Sequence, residues 1–155
     1  QQSDTTYFDN YKTFTPSMQD ALSGDTQSGG CLFISGANVA SDMVHEADST
    51  FLANVLKCQF TGNIATTSNK VHGMGTALSF YNSINELHYP AVSPDILRPI
   101  TPAFVALRYE DETDACIAYK GDTYRTFVLG FPFECIDNSQ RQKDIMGAII
   151  KFLLK

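Results

Sequence analysis

The stretch Gly29-Gly30-Cys31-Leu32-Phe33-Ile34-Ser35-Gly36-Ala37-Asn38 joins a double glycine, an unbroken apolar run of strand length and a turn of small residues. An apolar run without polar alternation predicts a strand buried on both faces, as in a parallel sheet covered by helices. That reading makes residues 31–34 the central strand. Upstream, Thr15 offers a hydroxyl cap and Pro16 a first helical position, with Met18, Ala21 and Leu22 sharing a face, so a helix is expected from residue 16 to about residue 25. Downstream, a polar stretch leads to a second helix around residues 49–57, where Phe51, Leu52, Val55 and Leu56 line up. Residues 1–13 are polar and irregular and read as a loop tethered by Tyr7, Phe8 and Tyr11.

Between residues 58 and 102 glycines and prolines break the pattern into short pieces. Residues 71–75 and 78–81 suit short extended segments, and residues 90–102, with four prolines, read as an irregular crossing over the surface. The last third is clearer. Three apolar runs, 103–109, 115–120 and 125–131, are separated by an acidic turn and a Gly121-Asp122 turn, and such short joins predict an antiparallel meander. A terminal helix is expected from Ser139, whose hydroxyl and Gln142 form a capping box, with Ile145, Met146, Ile149, Ile150, Phe152 and Leu153 as its apolar stripe.

The 155 residues, 43% hydrophobic, suit one domain over residues 1–155. Eleven basic against seventeen acidic side chains give a net charge of −6, which repels a nucleic-acid backbone. No apolar stretch approaches the ~20 residues of a membrane helix. The four cysteines, Cys31, Cys58, Cys116 and Cys135, lack CxxC spacing, and Cys31 and Cys116 lie in strand-like surroundings where a thiol acts as a small hydrophobe. A disulfide among them is left open. With no glycine-rich phosphate loop, dinucleotide fingerprint or zinc-ligand spacing, neither a cofactor nor a metal is expected. Glu110, Asp111, Glu112 and Asp114 crowd one hairpin turn, the wrong place for a glycosidase's carboxylate pair across a cleft.

The words GGCLFISGANVASDM (29–43), FVALRY (104–109), AYKG (118–121) and TFVLGFPFE (126–134) resemble, in that order, a class I glutamine amidotransferase-like domain of the kind found in secreted bacterial xanthan lyase-like proteins. The resemblance implies an α/β three-layer sandwich of flavodoxin-like type, its sheet mostly parallel with a C-terminal antiparallel meander. It also implies that the strands usual at the family's N-terminus are missing, so that the chain is the C-terminal part of a larger domain. An exported parent protein, secreted, periplasmic or at the cell surface, goes with it.

Amidotransferases carry a cysteine nucleophile in the sharp strand-to-helix turn, where helix N-terminal amides favour the thiolate, and a histidine base and orienting glutamate in a late G-x-x-F-H-P-E word. Here Ser35 stands in the cysteine's place. Gly130-Phe131-Pro132-Phe133-Glu134-Cys135-Ile136 puts Glu134 in the histidine's place and Ile136 in the glutamate's. A serine needs an adjacent base near neutral pH, which a carboxylate of ordinary pKa does not supply, so glutaminase chemistry is not expected.

The leading expectation is therefore a non-catalytic structural or glycan-binding module of a polysaccharide- or cell-wall-active protein. The alternative is a serine hydrolase in which Ser35 recruits one of His45, His72 and His88, His45 following the turn most closely. Any pocket is expected beyond the strand ends and lined by Ser35, Gly36, Asn38 and Glu134, although the first three suit equally well a turn that simply needs small residues. Expected partners are neighbouring domains or a second copy completing the sheet beside residues 31–34, and a polysaccharide stacked on Tyr7, Tyr11, Tyr81, Tyr89 or Tyr124.

Overall fold

The computed structural model describes residues 13–45, 48–64, 69–82 and 90–154. Helix α1 (Pro16–Gln27) leads into strand β1 (Leu32–Ser35), followed by two short helices, α2 (Val39–His45) and α3 (Ser49–Asn54). Seven strands come next: β2 (Cys58–Asn63), β3 (Lys70–Gly73), β4 (Thr76–Ser79), β5 (Asp95–Pro99), β6 (Phe104–Tyr109), β7 (Asp114–Lys120) and β8 (Arg125–Leu129). A 3-10 turn (Phe133–Cys135) precedes the terminal helix α4 (Ser139–Leu153).

Six strands form one sheet in the order β1-β8-β7-β6-β3-β4, and β2 and β5 form a separate antiparallel ribbon. Within the large sheet only β1 and β8 run parallel; β8 with β7, β7 with β6, β6 with β3 and β3 with β4 are all antiparallel. The result is a mixed, curled half-barrel sheet with few helices, which overturns the expectation of a mostly parallel flavodoxin-like sandwich. The joins explain the difference. Four-residue connections between β6 and β7 and between β7 and β8 can only return the chain antiparallel, whereas β1 reaches β8 through most of the sequence.

The same order moves residues 31–34 from the centre to an edge. Leu32 and Ile34 are buried on one face and Phe33 packs on the other, so the apolar run reports two covered faces and not two flanking strands. Side-chain alternation continues through the sheet. Cys116, Ala118, Phe127 and Leu129 face a core closed by Ile145 and Ile149 of α4, while Ile117 and Val128 point to a second core with Met43, Phe51, Leu52 and Leu97.

Residues 90–102 contain β5, paired with β2 from Cys58↔Pro99 to Asn63↔Asp95, and bury Asp95 and Leu97. The expected surface crossing is instead a strand that lies across the second core. Proline is tolerated there because a two-stranded ribbon has an outer edge on each strand. Thr15 caps α1 by accepting from the Met18 amide. At α4 the cap is Asn138, whose side chain accepts from the Gln140 and Arg141 amides, and Ser139 is already helical. Gln142 uses its amide on the carbonyls of Ile136 and Glu134. All four cysteines are free thiols, and Cys31 is the least buried of them.

Candidate functional site

Parallel pairing of β1 with β8, in the register Ser35↔Leu129, brings the ends of both strands out at one edge of the sheet. The turn Ser35–Asn38 leaves β1 there, and the segment carrying Glu134 follows the end of β8. Gly36 is fixed by packing. A Cβ on it would meet Val39 Cγ2 at 2.6 Å, and its amide donates to the Leu129 carbonyl. Asn38 is exposed and contributes its carbonyl to the first turn of α2 through the Asp42 amide. Glu134 is exposed on the 3-10 turn.

A residue that sequence reasoning passed over organises this edge. Asp95, 1% exposed, opens β5 directly behind the turn. Its Oδ2 accepts from the Ala40 amide at 2.7 Å, its Oδ1 from Asn63 Nδ2 at 3.2 Å, and Ser41 contributes both its amide and its hydroxyl. Its own amide donates to the Gly130 carbonyl, and its carbonyl accepts from the Tyr109 hydroxyl at 2.9 Å. One aspartate thus joins α2, the β2–β5 ribbon, β6 and the end of β8. Burial pushes its carboxyl up to about 7 against the opposing pull of the Ala40, Ser41 and Asn63 donors. The only sequence signal was an acid placed at the head of Ile96-Leu97 within a proline-rich stretch, which reads more readily as a turn.

The two described histidines are not brought to Ser35. His45 is exposed at the far end of α2, roughly 9 Å along the axis from the turn at ~1.5 Å per residue. His72 lies on β3, four strands from β1 and so roughly 19 Å along the sheet, where its Nε2 sits 3.3 Å from Glu112. His88 lies outside the described residues, as do Tyr7, Tyr11 and Tyr89. Among the described residues no group of three or more metal-ligating side chains occurs. Burial raises the Cys58 thiol to about 12, with Asp95 adding to the rise, so it is no nucleophile near neutral pH.

No family model and no curated protein matches the chain. Among solved structures, it resembles the GH42 β-galactosidase Gan42B with a TM-score of 0.61, at 13% identity over 89% of this chain and 20% of that one. A β-galactosidase from Bacillus circulans sp. alkalophilus gives 0.54 at 10% identity, over 88% of this chain and 20% of its own. The N-terminal domain of IFT52 gives 0.53 at 16% identity, over 92% of this chain and 72% of that one. At these identities the likeness is one of fold alone. The chain spans about a fifth of each galactosidase, and none of the three is an amidotransferase or a xanthan lyase. The export and xanthan-lyase setting drawn from the resemblance gains no support from them.

Proposed function

We propose that this chain is a non-catalytic module of a larger polysaccharide-active protein, packing against neighbouring domains and contacting glycan. The observation that carries the reading is the state of the Ser35 turn. The Gly36 amide donates to the Leu129 carbonyl and the Ala40 amide to the Asp95 carboxylate behind the turn, which ties the turn and α2 to β8 and β5, and the described histidines lie away from the serine. A hydrolytic serine requires a base within hydrogen-bond reach, oriented by a further group.

Two surfaces support the packing role. Phe104, 47% exposed, meets Phe152 of α4 edge-to-face, and the C-terminal end of α4 separately exposes Ile150 and Leu154 at 48% and 80%. Among the described residues, β1 has a paired strand on one side only, which leaves backbone groups for a neighbouring domain or a second copy to meet. Recurrence of the fold as a minor part of two β-galactosidases fits a module carried within larger glycan-processing chains.

The test is retention of the purified protein on columns of immobilised neutral polysaccharides, covering galactans, β-glucans and mannans, against an uncoupled matrix. Retarded elution on at least one, reversed by the soluble polysaccharide, is expected. Elution with the void marker on every column contradicts glycan contact.

A further inference from the structure

At the end of β8 opposite the Ser35 turn, α1, α3 and the residue preceding β8 line an open cleft of about 500 Å³. Its size falls within the roughly 300–1,000 Å³ usual for small-molecule sites. Tyr124 forms one wall and Gln19, Asp20, Asn54 and Lys57 contribute to the rest. We infer that this cleft binds a neutral sugar ring, with Tyr124 as the stacking face and the amides as hydroxyl partners; the inference rests on the glycan-contacting role proposed above and gives it a location.

Three observations carry it. The Tyr124 ring is fixed before any ligand arrives: its hydroxyl donates towards the carbonyls of Asn54 and Val55 at 3.2 and 3.1 Å, and Tyr119 packs against it with ring centroids 5.0 Å apart. A part-buried aromatic held in this way offers apolar area at little cost in ordering. Lys57, between α3 and β2, holds a left-handed backbone at φ 59° without being glycine, and such strain collects at binding sites. Its ammonium lies 5.6 Å from the centre of the Tyr119 ring.

The third observation is the chemistry of the lining. Gln19 is itself anchored, its amide nitrogen donating to the Phe14 carbonyl and to Asp48 at 3.0 Å each. Carboxamides, a carboxylate and an ammonium supply both donors and acceptors, which suits neighbouring hydroxyls that each donate and accept. Asp20 in the wall and a net charge of −6 disfavour a polyanionic chain.

The experiment is an amide-resolved NMR titration of the whole chain with galactotriose, cellotriose and mannotriose, and with trigalacturonate as the acidic control. At least one neutral trisaccharide is expected to give saturable shifts concentrated at Gln19, Asp20, Asn54 and Lys57, with trigalacturonate giving none there. Tyr124→Ala and Asn54→Ala should each weaken binding at least tenfold, while Tyr124→Phe, which keeps the ring, should lose less. Asn54 is exposed, so its variant tests the site even where Tyr124→Ala loosens α3. Saturable binding left unchanged by both alanine variants, or shifts centred elsewhere, overturns the location and leaves glycan contact standing. Absence of saturable shifts with all three neutral sugars overturns the cleft, and void elution from every polysaccharide column separately overturns the broader role.

Discussion

Asp95 shows how one buried side chain can serve architecture with the chemistry of an active-site acid. Its carboxyl titrates near 7, where a general acid or base is most useful, yet its oxygens meet backbone and side-chain donors of the surrounding elements. Because the folded chain holds this proton more tightly than the unfolded chain, whose carboxyl titrates near 3.8, the contribution to stability is full below about pH 4 and is lost as pH rises to about 7. At ~1.4 kcal/mol per unit of pKa the swing is on the order of 4 kcal/mol. Thermal unfolding followed from pH 4 to 8 should therefore show the melting temperature of Asp95→Asn falling less across that window than that of the parent. Parallel curves would show that the proton on Asp95 is not linked to folding. Ser35, Gly36 and Asn38 were legible from sequence as one turn because small residues at a strand end leave few alternatives. Asp95 was not, since its significance comes from residues far along the chain: Ala40, Ser41, Asn63 and Tyr109.

Elements with a strong local pattern were the most readable. The stripe on α4 places Ile145 and Ile149 in the core, with Ile149 fully buried against the sheet. Truncation of Ile149 to alanine should cost about 2–5 kcal/mol, read as a lower denaturation midpoint at unchanged slope. A loss below ~1 kcal/mol would mean that α4 is not a closing layer of that core. Caps were readable in kind but not always in position. Ser139 and Gln142 had the spacing of a capping box, but Asn138, one residue earlier, has the side chain that reaches two amides. The β5 strand was hidden by its prolines, because local composition shows what breaks a strand and says nothing of a partner such as β2 that sustains one.

Across the whole molecule, strand order was the least legible property. Runs such as Cys31–Ile34 state how many faces are covered, and burial by helices and by a crossing ribbon gives the same run at an edge as at a centre. Direction was readable where joins were short, as from β6 to β8, and not where a long connection intervened, as from β1 to β8. The resulting half-barrel places the turn of Ser35 at one end of the β1–β8 pair and the cleft of Tyr124 at the other, so the turn and the proposed recognition surface are separated by the length of β8.

The central claim, that the Ser35 turn is a joint and not a catalytic elbow, is tested most directly by turnover. Wild-type chain and Ser35→Ala should be incubated with p-nitrophenyl acetate, p-nitrophenyl butyrate and glutamine p-nitroanilide between pH 6 and 9. The expected result is that both proteins release nitrophenol or nitroaniline at the rate of the protein-free control. Saturable turnover by the wild type that disappears in Ser35→Ala, with the fold of the variant intact, would contradict the account.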